Sequence, residues 1–371
     1  MDDAAIRARA LFGKKTAAGS PAATESSQTR TGPPDQRDAQ AIARQLQSAA
    51  SDERVPGLAD NTESMARLAA ALVEQAQQVV NALEAGASAG SFSDAQMVAL
   101  ESVIRTRGRP ALKVEDGGLE ALDDARHPGS GFWRIPVSDH EAQLLRVAAS
   151  TGAVMARVRA GGGASIVCGT AWLIAPNLVM TNRHVLFPPN GTPLAARKPQ
   201  RPTEADFRPD IELFMDFAHE EGTARDGRVA IDAVPFVAED ADPVDVAILR
   251  IAAMPAGAGT LPLATAADVS RQLFLVGHPG VLAAVPADVQ AVFGTPNGRK
   301  RICFGEKLGA SAALAGVMGH DASTIGGFSG ASVLAFGSAG VSALHYYGDP
   351  VRGNRAITAE TLRAHPVAAF I

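Results

Sequence analysis

Two rhythms of apolar residues divide the chain. Between 62 and 85, Met65, Leu68, Leu72, Val79, Val80 and Leu83 recur at spacings of three and four, the period of one helix face. Asn61 stands where that helix needs a cap, and Gly86 stands where it should stop. A second helix is predicted from Ser93, with a capping-box spacing to Gln96; it would bury Met97, Leu100, Val103 and Ile104 and stop at Gly108. A third, short helix is predicted over 138–149. Near residue 153 the period falls to two and to short apolar runs: "AVMARV", "IVCGTAWLIA", "IELFMDF", "VAIDAVPFVA", "VAILRI", "LFLVG", "ICFGEKL", "SVLAF" and "VSALHYY". Clusters of Gly, Pro, Asn and Asp separate them, the pattern of an antiparallel barrel or sandwich, and "TAETLRAHP" reads as a closing helix. No internal repeat of fixed period is present. Three segments follow: 1–60, mostly disordered segment and linker; 61–150, a helical region suited to regulation or docking; and 151–371, an all-β domain.

Composition narrows the function classes. The formal net charge is −5, so the basic excess of a general nucleic-acid binder is missing. The basic cluster "NGRKR" surrounds Asn297-Gly298, a hairpin-turn signal, and is expected to be a solvated turn. The longest apolar stretch, "SIVCGTAWLIAPNLVM", is interrupted by Gly, Asn and Pro and is too short for a membrane span. The first residues carry acidic side chains and no apolar core of a secretory signal, so the expected location is the cytoplasm, with neither nucleic acid nor membrane as a partner. Cys168 and Cys303 are the only cysteines, and both are expected to stay reduced. No His/Glu pair at metalloprotease spacing, no Cys cluster and no Gly-Lys phosphate loop occurs, so neither a metal nor another cofactor is expected.

The candidate chemistry centres on "TIGGFSGAS", where glycines crowd Ser329 and a strand-like "VLAF" follows. A serine hydroxyl becomes a nucleophile when a base accepts its proton, and a buried carboxylate can hold that base in the useful tautomer. "NLVMTNRHVL" sets His184 just after an apolar strand, and "DPVDVAILRI" sets Asp245 just before another. Each residue alone also fits a structural role. Together they supply nucleophile, base and orienter, in an order that differs from the Ser, Asp, His order of an α/β-hydrolase. His278 and His320 are weaker candidates for the base, the first read as shaping a turn and the second as part of a loop leading to the pocket.

Taken together, "GTAWLIAPNLVMTNRHV", "DVAILRI", "VGHPG" and "STIGGFSGASV" resemble the trypsin-like serine peptidases of chymotrypsin fold, and most closely the bacterial branch that includes the glutamyl endopeptidases. The resemblance spans about residues 152–358. It implies two six-stranded antiparallel β-barrels with a cleft between them, preceded here by the helical N-terminal region. It implies His184 as base and then acid, Asp245 as orienter, Ser329 as acylated nucleophile, and the N–H groups of Gly327 and Ser329 as oxyanion hole. Phe328 replaces the Asp that pairs with a newly cut N-terminus in many members, so activation by N-terminal insertion is not expected. Val185 replaces a cysteine that would pair with Cys168 in secreted relatives. Ser323, Thr324 and His345 would line the first specificity pocket, either as donors to an acidic P1 side chain or as framework of a more apolar one. The expected activity is endopeptidase cleavage of protein or peptide substrates, with a regulatory protein partner expected at the N-terminal helices. The competing reading is a catalytically silent adaptor that binds through those helices.

Overall fold

The computed structural model describes residues 103–159, 165–188, 192–265, 270–281, 287–308, 316–349 and 353–371. The disordered segment expected over 1–60, the helix expected over 62–85 and the second helix up to residue 102 lie outside the described residues. From Val103 to Gly108 the chain is not helical: Val103 forms an isolated antiparallel bridge with Thr324, and residues 106–108 turn.

Two short strands come next, β1 (Ala111–Glu115) and β2 (Gly118–Leu119), and they belong to a sheet built mainly by the far end of the chain. Strands therefore begin well before residue 150, inside the segment expected to be helical. The alternation that makes β1 a strand is real, since Leu112 and Val114 are buried while Glu115 is exposed, but it lasts only five residues between Pro110 and a turn at Asp116-Gly117. The expected third helix is present as two pieces, α1 (Arg134–Asp139) and α2 (Glu141–Ala149), and α2 buries Leu144, Val147 and Ala148.

The first lobe is a closed barrel. Its strands are β3 (Thr151–Val158), β4 (Ile166–Ala175), β5 (Leu178–Thr181), β8 (Ile211–Asp216), β9 (Arg228–Val237) and β10 (Ala247–Ile251), and pairing of β10 with β9 closes the ring. A hairpin of β6 (Ala195–Lys198) and β7 (Arg201–Phe207) extends β9 outward. Alternate residues Ala171 and Leu173 of β4, with Val179, Ala247 and Leu249, fill the barrel interior. The opposite faces of the same strands are apolar too: Trp172, Ile174, Met180 and Ile248 join a second core with Trp133, Leu144, Phe274, Phe304, Leu334 and Leu344. Burial on both faces explains why these segments read as continuous apolar runs rather than clean alternation.

The second lobe is an eight-stranded antiparallel sheet in the order β13-β16-β15-β14-β11-β12-β1-β2. Its remaining strands are β11 (Gln272–Gly277), β12 (Arg301–Glu306), β13 (Val317–His320), β14 (Ser332–Ala335), β15 (Ala343–Asp349) and β16 (Gly353–Thr358). A bridge between Lys307 and His320, with Leu308 N–H donating to the Gly319 carbonyl at 2.9 Å, curls β12 back towards β13. The closing helix is α5 (Ala359–Ala364); Thr358 Oγ1 caps it by accepting from the Thr361 N–H at 3.2 Å.

The cluster "NGRKR" overturns one expectation. Asn297-Gly298 does make the turn, with Arg299 N–H donating to Asn297 Oδ1 at 3.1 Å, but Lys300 and Arg301 are buried at 0% and 1% exposure. Lys300 Nζ donates to the Ala148 carbonyl at 2.7 Å, to the Phe217 carbonyl at 2.6 Å and to Glu220 Oε1 at 3.0 Å. One ammonium thus ties α2, the end of the β8 hairpin and the start of β12. A charge can be buried so deeply only because all three of its donors are used.

Candidate active site

Strand register brings the first two functional side chains together. Thr181 of β5 pairs with Ala247 of β10, so the residues that follow one strand meet those that precede the other. His184 lies in the single turn α3 (Arg183–Leu186), and Asp245 lies just ahead of β10. The His184 N–H donates to Asp245 Oδ1 at 3.1 Å, and Nδ1 lies 2.5 Å from Oδ2. Because an ionised carboxylate only accepts, the neutral ring carries its proton on Nδ1 and leaves the Nε2 lone pair free. Asp245 is itself held: Asn182 Nδ2 donates to its carbonyl at 2.8 Å, and Arg183 Nε stands 4.0 Å from Oδ1. Arg183 in turn donates to the carbonyls of Glu239 and Asp242. The Asp245 side chain is 10% exposed and the His184 side chain 18%, so the pair looks onto solvent through the ring.

The nucleophile loop is fixed by its carbonyls. Gly280 N–H donates to the Gly326 carbonyl at 2.6 Å, and Ala331 N–H donates to the Phe328 carbonyl at 2.9 Å. All described peptides are trans, so each N–H points away from the carbonyl of its own peptide unit. The N–H groups of Gly327 and Ser329 consequently face away from these anchors, and among the described residues neither donates to a protein acceptor. Gly327 has φ +98°, and a Cβ there would lie 2.4 Å from the His278 carbonyl, so only glycine permits this turn against the 278–280 backbone. Thr170 of β4 completes the clamp. Its Oγ1 donates to the Gly327 carbonyl at 2.8 Å and accepts from the His278 N–H at 3.0 Å, while its own N–H donates to the Ser329 carbonyl at 2.9 Å.

Gly169 shows how close the two halves come. A Cβ at that position would lie 2.6 Å from Val185 Cγ2, next to His184, and 3.2 Å from the Ser329 carbonyl. Among the described residues no hydrogen bond joins the Ser329 hydroxyl to the His184 ring. Phe328, between the two free N–H groups, is fully buried, stacking on Gly277 and lying 5.9 Å from Phe293 of α4 (Ala287–Phe293).

Behind the nucleophile a chain of buried polar groups has a determined direction. Thr324 Oγ1 donates to Asn354 Oδ1 at 2.6 Å, and Asn354 Nδ2 donates to the Ala322 carbonyl at 2.6 Å, which fixes the amide orientation. The same Nδ2 lies 3.5 Å from His320 Nδ1, making that nitrogen the acceptor, and His320 Nε2 lies 3.2 Å from His345 Nδ1. The proton order then leaves His345 with its N–H on Nε2. Burial pushes the His320 pKa down to about 4 and holds His345 well below the ordinary imidazole value, with the neighbouring His320 and His184 adding to the latter. Both rings are therefore neutral near pH 7. His345 also bonds the nucleophile loop directly, since Gly330 N–H donates to its carbonyl at 2.9 Å.

Residues 169–340 match the family model of the trypsin-like peptidase domain. The fold is trypsin-like. Solved structures similar to this chain include the Rv3671c protease of M. tuberculosis H37Rv in an inactive form, at 18% identity over 63% of this chain and 95% of that one, with a TM-score of 0.38. Deg5 aligns at 15% identity over 61% and 92%, with a TM-score of 0.38, and the protease Anisep from Arthrobacter nicotinovorans at 14% over 59% and 96%, with a TM-score of 0.39. A search of curated proteins finds no match.

Within the trypsin-like domain the expected site residues fall into two sets. His184 and Asp245 are bonded; Ser329 and Gly327 share one clamped loop beside them; His345 and Thr324 are joined through His320 and Asn354. Ser323 stands apart from the pocket. Its hydroxyl accepts from the Arg105 N–H at 3.0 Å and lies 3.1 Å from the Arg109 carbonyl, so it is turned into the 103–109 segment. His278 forms no part of a base: it is fully buried, with Nδ1 donating to the Gly298 carbonyl at 3.0 Å. His320 lies on strand β13 rather than in a loop. The sequence reading passed over Thr170 and Asn354. Thr170 carries no signal because its partners are backbone groups, whereas Asn354 follows a glycine and reads as part of a turn.

Proposed function

We propose that the chain is a serine endopeptidase. The observation that carries this reading is the pair of oriented, unpartnered N–H groups at Gly327 and Ser329 beside a bonded His184–Asp245 pair. Ser329 Oγ attacks the scissile carbonyl carbon as its proton passes to His184 Nε2, and the carbonyl electrons move to oxygen, which the two N–H groups receive. The C–N bond then breaks as Nε2 returns the proton to the leaving amine. Water, deprotonated by the same nitrogen, attacks the acyl ester, and Oγ leaves with its proton restored. Asp245 remains ionised and steadies the imidazolium. Contacts between serine and imidazole commonly tighten only when substrate is bound.

The substrate preference we infer is an acidic P1 side chain, for which the Nε2–H of His345 is the donor at the end of a neutral relay. Asp321, the carboxylate on this wall, is already held by Arg109 and offers nothing to a cationic P1 group. The buried Phe328 supports activity without prior cleavage of the chain. A reducing, cytoplasmic setting is proposed from the two free thiols, and a regulatory partner is proposed for the N-terminal region.

A fluorophosphonate probe tests the assignment. Labelling of Ser329 in the full chain, lost in Ser329→Ala and His184→Ala, is the expected result. The missing Ser329–His184 bond is the observation favouring a silent adaptor, and that reading is adopted if the folded wild-type chain takes up no label. Peptide-library profiling tests P1: cleavage after Lys or Arg would overturn the acidic preference.

A further inference from the structure

The wall of the pocket is held from outside its own sheet. β13 ends at His320, paired with Asn354 of β16, and residues 321–324 continue towards the nucleophile loop, where Thr324 finds its backbone partner outside the eight strands. That partner is the segment just before β1. Val103 N–H donates to the Thr324 carbonyl at 3.0 Å, and Thr324 N–H donates to the Val103 carbonyl at 2.8 Å. Arg105 N–H donates to Ser323 Oγ at 3.0 Å, and that hydroxyl reaches the Arg109 carbonyl at 3.1 Å. Arg109 grips Asp321 with two parallel bonds of 2.8 Å, Nε to Oδ1 and Nη2 to Oδ2, and also donates to Glu306 Oε2 at 3.0 Å. The segment is anchored at its far end, where Trp133 Nε1 donates to the Gly108 carbonyl at 2.8 Å.

We propose that residues 103–109 are an internal strap that sets the position of the specificity-pocket wall, with Arg109 as its positioning residue. Ser323 and Thr324 are fully buried, so the Ser323 hydroxyl and the Thr324 backbone N–H and carbonyl have no access to water and depend on the strap for partners. Thr324 is also the first donor of the relay that ends on His345, so a strap that slips displaces the relay at its source. The bidentate guanidinium–carboxylate contact fixes both distance and plane, which a single point charge does not.

The inference rests on the peptidase reading for its kinetic consequence, and its test separates the two. Full-length wild type, Arg109→Gln, Arg109→Lys and Ser323→Ala are compared by peptide kinetics, by the rate of fluorophosphonate labelling and by amide hydrogen exchange. For Arg109→Gln we expect KM for the preferred peptide to rise about tenfold, the labelling rate to stay within about twofold, and exchange to accelerate at 322–325 but not in the first barrel. Arg109→Lys restores part of KM, and Ser323→Ala gives a smaller exchange change at the same amides. Unchanged exchange at 322–325 in Arg109→Gln overturns the strap, as does loss of labelling in step with loss of peptide cleavage. If wild type takes no label, the peptidase reading fails, and hydrogen exchange alone decides the strap.

Discussion

The two halves of the site are held by different kinds of bond. On the first barrel, His184 and Asp245 are joined side chain to side chain, and their positions follow from one strand register, Thr181 with Ala247. On the second lobe, the groups around Ser329 are positioned by backbone carbonyls, which Thr170, Gly280 and Ala331 hold in place. The acid–base half can thus be broken only at a few named side chains. The oxyanion half depends on a distributed clamp whose single side-chain member comes from the other lobe.

The most severe break is expected on the acid–base side. Asp245→Asn would keep the shape but let the amide donate to Nδ1, reversing the tautomer, and kcat should fall about 10⁴-fold at neutral pH in a peptide-hydrolysis assay. Thr170→Val probes the other half. It removes the donor to the Gly327 carbonyl and the acceptor for His278 N–H while keeping volume, and we expect about a 10²-fold loss in kcat with little change in KM. Thr170→Ser should recover most of it. A peptide boronate, which presents an oxyanion, should lose more affinity to Thr170→Val than a substrate-like inhibitor does.

Smaller effects sharpen the comparison. Asn354→Leu keeps the pocket filled but removes the group that sets the His320 tautomer, and the preference for acidic over neutral P1 should drop about tenfold in paired kcat/KM measurements. Acid should weaken the second lobe more than the first. His320, His345 and His278 are buried neutral, all with pKa values pushed below the ordinary 6.5 by burial, so the unfolded state binds more protons as pH falls. Stability from these groups is complete above about pH 6.5 and lost towards the folded value of about 4 for His320, at about 1.4 kcal/mol per pH unit for each group that titrates. Asp321 works in the same direction: against its burial, the bonds from Arg109 hold its carboxyl below the ordinary value of 3.8, so its contribution persists above that value and disappears at lower pH. Denaturant midpoints measured from pH 7 to 4 check the histidines, a continuation below pH 3.8 checks Asp321, and hydrogen exchange locates the loosened lobe.

The same division explains what the sequence made legible. His184, Asp245 and Ser329 stand next to strands whose apolar runs are unmistakable, and their chemistry is carried by side-chain type. The first barrel was legible for the same reason, since β4, β9 and β10 are apolar on long stretches. β13 and β16, with "VMGH" and "GNRAIT", bury one large apolar residue each, Met318 and Ile357, among glycine, alanine, histidine and asparagine, and show no usable alternation. β1 is short, and its partner β12 lies nearly 200 residues later in the chain, a pairing that no local pattern reveals. "NGRKR" misleads because charge normally signals solvent; here Lys300 is enclosed by two carbonyls and a glutamate distant in sequence. Ser323 misleads because a hydroxyl at a pocket position says nothing about which way it turns.

The enclosed ammonium of Lys300 limits how this molecule can be divided. Its partners Phe217 and Glu220 come from the first lobe, Ala148 from the helix that precedes it, and the lysine itself from the second. A fragment ending before β11 would leave those acceptors lining an empty apolar hollow, and a fragment beginning there would carry a bare cation at the head of β12. Neither lobe should therefore be obtainable as a stable separate product, and complementation from split halves should require both pieces to fold around that one nitrogen.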